Sequence, residues 1–128
     1  MFSLKNQRYF SKIHKKKLLF LNCSNLSTIN LPTSISSIGN YCFSKCSNLS
    51  TINIPTSISS IGDYCFDCCC NLSTIKLPTS ISSVGDCCFS YCSKLKRHIS
   101  IDPNNPTFLT DGTKIFRKDN GNEIKIFK

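Results

Sequence analysis

No stretch of this 128-residue chain approaches the 18 or more consecutive apolar residues of a membrane-spanning helix. The longest uncharged apolar run near the N-terminus is residues 18–21. That is shorter than the apolar region of a secretory signal peptide, although the lysines at 15–17 would suit one. The expectation is therefore no export signal and a cytoplasmic chain, unless Met1 is not the true start. Histidine is scarce: His14 lies in a basic stretch and His98 near the last repeat, and no serine or cysteine has a nearby His–Asp pattern. There is no glycine-rich phosphate loop. These absences argue against an enzyme, so no catalytic residue and no cofactor is expected. Acidic residues are missing from positions 1–25, which hold six basic ones, and the body at 26–95 is neutral. Residues 96–128 carry seven basic and four acidic residues, so all of the net charge of +9 sits at the ends. No aromatic platform, zinc knuckle or recognition helix accompanies those basic residues, which disfavours nucleic acid as a partner.

What the chain does have is a repeat. Apolar residues make up 40%, enough for a core and too many for a disordered chain. Leu26, Leu49, Leu72 and Leu95 lie 23 residues apart, and the units between them are nearly identical. Repeats of 20–29 residues that open on Leu-x-x-Leu-x-Leu read as leucine-rich repeats. Full units occupy 26–48, 49–71 and 72–94, and residues 18–25 form a partial one in which Phe20 aligns with Phe43 and Cys23 with Cys46. Residues 1–17 read as a basic tail or degenerate cap, and 95–128 as an atypical last repeat with a β-hairpin cap turned at Asn120-Gly121.

Within a unit, the alternation at residues 28–31 predicts a short half-buried strand, ended by Pro32. Residues 33–37 read as loop with Ile35 turned inward. The recurring Gly39, Gly62 and Gly85 suit a positive-φ turn, and Asn40, Asp63 and Asp86 suit the cap of a short helical turn. Cys42, Phe43 and Cys46 then fall at spacings that share a helical face, and Asn48 or Asn71 would end it. A single unit cannot bury its apolar edge alone, so the units must stack into a continuous core. The expected fold is an α/β repeat solenoid: a parallel concave sheet, short helical turns on the convex side and a β-rich C-terminal cap.

The run Leu-x-x-Ile-x-Leu/Ile-Pro-x-Ser-Ile-x-x-Ile-Gly-x-x-Cys-Phe-x-x-Cys resembles the BspA-like leucine-rich-repeat family, the leucine-rich repeat 5 group, and the segment at 101–116 resembles that family's closing segment. The resemblance implies a curved, non-catalytic binding scaffold tied to adhesion or host-protein binding, and admits a cell-surface location.

Two sets of side chains are candidates for function. Thr28, Thr51 and Thr74 should stack on the solvent side of the sheet, with Asn30, Asn53 and Lys76 as the neighbouring row and Arg97 in the next strand region. These would form a concave face that takes a protein partner. The ten cysteines offer a different chemistry, through Cys65-x-x-Cys68 and the consecutive Cys68, Cys69 and Cys70. Seven of the ten recur at fixed repeat positions and read as small buried hydrophobes. A metal or redox role, and polyanion binding by the basic ends, stand as the alternatives. Cys68, Cys70 and Cys87 break the pattern and are expected to be the exposed thiols.

Overall fold

The computed structural model describes residue 20 and residues 22–127, so the basic segment at 1–17 lies outside the described residues. Ten short strands lie among the described residues: β1 (Thr28–Asn30), β2 (Ser37–Ile38), β3 (Thr51–Asn53), β4 (Ser60–Ile61), β5 (Ile75–Leu77), β6 (Ser83–Val84), β7 (Ile99–Ile101), β8 (Phe108–Thr110), β9 (Ile115–Arg117) and β10 (Glu123–Ile124). Each full repeat contributes two of them. In the first two repeats the first is the alternating Thr-Ile-Asn strand, whose isoleucine is buried between exposed neighbours, and in the third it is Ile75–Leu77, with Lys76 exposed between two buried residues. The second overlaps the end of the segment read as loop, because a two-residue Ser-Ile strand is too short to show alternation.

The strands stack in parallel at the repeat spacing. Strand β1 pairs with β3, Thr28 opposite Thr51 and Asn30 opposite Asn53. Strands β2, β4 and β6 form a three-stranded parallel sheet in the same register. Strand β5 pairs with β7, and here Ile75 faces Ile99, one residue beyond the 23-residue period. The extra residue is absorbed before β7, where Arg97 takes φ 90°. Between β3 and β5 the Ser73 N–H still reaches the Ser50 carbonyl at 3.2 Å.

No helix forms among the described residues, which corrects the expected convex helical turns. An α-helix needs φ near −63° throughout. Here Tyr41, Lys45, Tyr64, Cys68, Cys87 and Tyr91 all have φ between 51° and 61°. Their N–H groups, and those between them, also point elsewhere. Tyr41, Phe43 and Lys45 donate to the carbonyls of Asp63, Cys65 and Asp67 in the next coil, at 3.0, 2.8 and 2.7 Å. The residues between them close local turns, Ser44 N–H to Tyr41 O and Cys46 N–H to Phe43 O. Cys42, Phe43 and Cys46 are all buried, as a helical face would have made them, but on a ribbon of consecutive turns. Asn71 likewise ends no helix; its Nδ2 donates to Ser47 O of the previous coil at 2.9 Å.

The glycine and Asn/Asp columns are corrected in the same way. None of Gly39, Gly62 and Gly85 has positive φ; the positive-φ glycines are Gly112 and Gly121. Gly62 is needed because neighbouring coils touch there: a Cβ would lie 2.5 Å from the Asn40 nitrogen and 2.6 Å from the Gly39 carbonyl carbon. Asn40 Oδ1 accepts from the Asp63 N–H, and Asp63 Oδ1 from the Asp86 N–H, both at 2.8 Å. These side chains join one coil to the next rather than cap a helix.

The core is a set of ladders. Phe20, Phe43, Phe66 and Phe89 are buried and stacked, with ring centroids 5.1, 5.4 and 5.5 Å apart. Leu26, Leu49, Leu72 and Leu95 form a second ladder and Ile35, Ile58 and Ile81 a third. Each such side chain contributes roughly 1.5–3 kcal/mol relative to exposure. Strands β8, β9 and β10 form an antiparallel sheet that follows β7. Buried Asn105 pins this sheet to the third repeat: its amide donates to the Pro78 and Ile81 carbonyls, and its oxygen accepts from the Thr107 and Phe108 N–H groups. The carbonyls of Lys125 and Ile126 then accept from Cys87 and Phe89, as a further coil would.

Candidate functional site

The alternation that buries Ile29, Ile52 and Ile75 turns the residues beside them outward. Thr28, Asn30, Thr51, Asn53, Thr74 and Lys76 are all exposed. Thr74 stands just before β5, whose first residue is Ile75. Lys76 lies opposite Ser100 of β7. Thr28 with Thr51, and Asn30 with Asn53, are direct cross-strand partners. None of these six side chains makes a hydrogen bond or ion pair within the described residues. The adjacent serines behave differently. Ser50 and Ser73 hydroxyls donate to the carbonyls of Ser27 and Ser50 one coil back, at 3.2 and 3.3 Å, and Ser100 donates to Ile75 O at 3.2 Å. The serines knit the coils together, which leaves the threonine and asparagine donors and acceptors uncommitted.

Arg97 is placed elsewhere. It is exposed in the turn before β7, at φ 90°, and not on a strand. Together with Lys96 it borders a cleft of about 350 Å³ at the C-terminal end of the stack, which includes Ile126 and Phe127. Sequence reasoning missed this cleft because three separate chain segments build it. The local signal was the pairing of basic residues with an apolar Ile126-Phe127 step in a segment read only as cap.

No disulfide forms among the described residues. Cys46, Cys69 and Cys92 each donate an S–H to a phenylalanine carbonyl of the coil before, Phe20, Phe43 and Phe66, at 3.0 Å. A cysteine therefore fits this column as a small apolar group that also satisfies a buried carbonyl. Burial pushes the Cys46 and Cys92 thiols up to about 12. It raises those of Cys42, Cys65, Cys69 and Cys88 as well. Metal binding and nucleophilic attack both need the thiolate, which these sites disfavour. Among the described residues no group of three or more His, Cys, Asp or Glu side chains is arranged to hold a metal. Cys65 is fully buried while Cys68 is half-exposed, so the Cys-x-x-Cys pair does not present two thiols to one site. Cys68 is held above the ordinary thiol range by partial burial and then by the neighbouring Asp67 carboxylate. Cys70 is exposed as expected, but Cys87 is buried, a correction. It takes the place held by Tyr41 and Tyr64 in the earlier coils, and the C-terminal segment closes over it through the Cys87 N–H to Lys125 O bond.

No helix among the described residues is long and apolar enough to cross a membrane. No curated protein matches the sequence. Three solved structures share the fold. A leucine-rich cell surface protein from Faecalibacterium prausnitzii superposes with a TM-score of 0.69 at 25% identity, over 81% of this chain and 27% of that one. The pneumococcal vaccine antigen PcpA gives 0.59 at 24% identity, over 73% of this chain and 23% of its own. A leucine-rich repeat protein from Eubacterium ventriosum gives 0.57 at 18% identity, over 77% and 32%. The chain thus spans about a quarter to a third of the length of these structures. The family model for the BspA type leucine rich repeat region matches residues 12–127 in six copies. With that match over nearly the whole chain, and a stack of parallel strands at the repeat spacing, the protein belongs to the BspA-type leucine-rich-repeat family.

Proposed function

We propose that this protein is a non-catalytic scaffold for protein–protein interaction or adhesion. Binding takes place on the candidate concave face, the exposed side of β1, β3, β5 and β7. The observation that carries this reading is the set of register-aligned, uncommitted side chains Thr28/Thr51 and Asn30/Asn53, continued by Thr74 and Lys76. Such a row offers hydrogen-bond donors and acceptors on rigid strands, so a partner can bind without ordering the surface first. Lys76 breaks the uniform polar row with a charge, which orients an acidic partner and speeds encounter. Arg97 extends the positive end of the chain beyond that row, from the turn before β7. Fold similarity to a protein named as a cell surface protein supports adhesion as the setting.

The test is capture of a partner on immobilised protein, followed by affinity measurement with variants. Thr51→Arg, at the middle of the face, should abolish capture with the fold intact. Lys76→Asn, which copies the earlier repeats, should weaken binding and flatten its salt dependence. Removal of Lys5, Lys12, Lys15, Lys16 and Lys17 together should leave both unchanged. If that basic set abolishes binding while Thr51→Arg and Lys76→Asn do nothing, the basic segment is the interaction site and this reading fails.

A further inference from the structure

Eight of the ten cysteines are buried, and the two that are not, Cys68 and Cys70, lie in one repeat. The near-identical repeats show what those two positions need. The place of Cys68 is taken by Lys45 and Tyr91 in the coils on either side, and that of Cys70 by Ser47 and Ser93. Lys45, Tyr91 and Ser93 are exposed and Ser47 is half-buried. Packing therefore asks for no thiol at either position, unlike the interior cysteine columns.

The local turn brings the two thiols together. Cys69 between them is fully buried, with its N–H on Phe66 O at 3.1 Å and its S–H on Phe43 O at 3.0 Å. The residues on both sides of it are thereby turned outward. Cys68 has φ 60°, matching Lys45 at 61° and Tyr91 at 59°. In those two coils the N–H two residues on closes the turn, Ser47 to Lys45 O at 2.9 Å and Ser93 to Tyr91 O at 3.1 Å. Even fully extended, two residues span at most about 7 Å between Cα atoms, and a turn is shorter, within the range of about 4.4–6.8 Å that a disulfide bridges. Only weak contacts hold the sulfurs: Cys68 Sγ lies 3.5 Å from Asp67 Oδ1, and Cys70 Sγ 3.8 Å from Ser47 O.

We propose that Cys68 and Cys70 form a dithiol–disulfide couple, a redox site on the turn side of the second repeat that reacts with low-molecular-weight disulfides. The exposed Cys70 reacts first. Its thiolate attacks a disulfide RSSR, forms Cys70–S–SR and releases one RS⁻. The Cys68 thiolate then attacks the Cys70 sulfur, closes the Cys68–Cys70 bond and releases the second RS⁻. The two protons lost by the cysteines end on the two RS⁻ ions, so one RSSR is reduced to two RSH for each disulfide formed. Cys68 comes second because partial burial and the Asp67 carboxylate disfavour its thiolate. The reduced pair thus gains little thiolate stabilisation, and the closed bond resists reduction. Among the described residues no third group joins the two thiols to hold a metal, which makes the pair a couple rather than a zinc site. Exchange in the native state stops at this pair, because the other eight thiols are buried.

The probe is oxidised glutathione, added to the reduced 128-residue protein in a background of reduced glutathione. Samples are quenched in acid, alkylated in denaturant and weighed intact by mass spectrometry. Wild-type protein should lose two alkylatable thiols and carry no glutathione. Cys68→Ser should carry one glutathione, on Cys70, because nothing displaces it. With reduced glutathione held at about 0.1 mM, and a millimolar effective concentration for the linked thiol, the mixed disulfide should be at least about tenfold scarcer in the wild type than in Cys68→Ser. The double variant Cys68→Ser, Cys70→Ser should keep its remaining eight thiols free. Serine suits both places, since polar side chains already stand there in the neighbouring coils. The proposal is overturned if the wild type does not react, or if it holds glutathione as persistently as Cys68→Ser does. It is overturned equally if the double variant still loses two thiols, or if the oxidised wild type is a disulfide-linked dimer on a non-reducing gel.

Discussion

Gly62→Ala separates two physical reasons for a glycine column. If the backbone needed positive φ, asparagine would be the mildest replacement, because it adopts that region most readily among side-chain-bearing residues. The structure gives a different reason: Gly62 has no positive φ, and its Cβ would fall 2.4–2.6 Å from Asn40 and Gly39 of the coil before. Two of the three atoms met are backbone, so the coils themselves must separate. Forced overpacking costs about 1–3 kcal/mol. The Asn40 Oδ1 to Asp63 N–H bond, 2.8 Å, runs through the same gap, and its loss adds about 1 kcal/mol. Gly62→Ala should therefore destabilise by roughly 2–4 kcal/mol. With a urea slope of about 2 kcal/mol/M, the midpoint falls by about 1–2 M. Gly62→Asn should be at least as damaging. Gly39→Ala has no described atom within 4 Å of the new Cβ and should be neutral or stabilising by about 0.4–1 kcal/mol. Urea unfolding followed by circular dichroism measures all three. A mild Gly62→Asn beside a severe Gly62→Ala would refute the close-approach argument and restore the positive-φ one.

Leu49→Ala in the middle of the core should cost about 2–5 kcal/mol, while Thr51→Ala on the exposed side should cost under about 0.5 kcal/mol; equal losses in urea unfolding would mean the strand faces are assigned the wrong way round. Native protein treated with a thiol reagent should label fast at exposed Cys70 and more slowly at Cys68, with the remaining thiols reacting only in denaturant; Cys70→Ser should remove the fast phase, and rapid native labelling of most thiols would contradict the buried assignment. Stability should also fall in alkali. The folded Cys46 and Cys92 thiols titrate at about 12 against an ordinary 9.0, so their contribution is full below about pH 9 and is lost as pH rises towards 12. The double variant Cys46→Ser, Cys92→Ser should show a shallower loss of urea midpoint between pH 8 and pH 11, and an unchanged slope would count against thiol burial as its cause.

Much of the stack was legible because the 23-residue period is a packing statement. A leucine every 23 residues can be buried only if each unit lies on the next, and Leu26, Leu49, Leu72 and Leu95 are indeed all within the core. The Thr-Ile-Asn strand was legible from alternation. The turn ribbon was not. Cys42, Phe43 and Cys46 fit a helical face, but the same in–out pattern also fits turns that repeat every four residues, with left-handed positions at Tyr41 and Lys45. Tyrosine and lysine carry none of the glycine or asparagine signal by which such positions are usually read. The Gly and Asn/Asp columns are visible in the sequence, but local spacing does not reveal their partners, which lie one coil away. On the candidate face, the placement of Thr28, Asn30, Thr51, Asn53 and Lys76 outside follows from the strand period. Arg97 departs from it because one inserted residue moves it into a turn.

On the Cys-Phe side of the stack, hydrogen bonds between coils, and not helical turns, satisfy the backbone. Scalar couplings across hydrogen bonds, measured by NMR on isotope-labelled protein, report donor and acceptor directly. The structure predicts correlations from the Phe43 nitrogen to the Cys65 carbonyl and from the Phe66 nitrogen to the Cys88 carbonyl, one coil onward in each case. Correlations from Phe43 to Gly39 and from Phe66 to Gly62, the four-residue pattern of an α-helix, would contradict it.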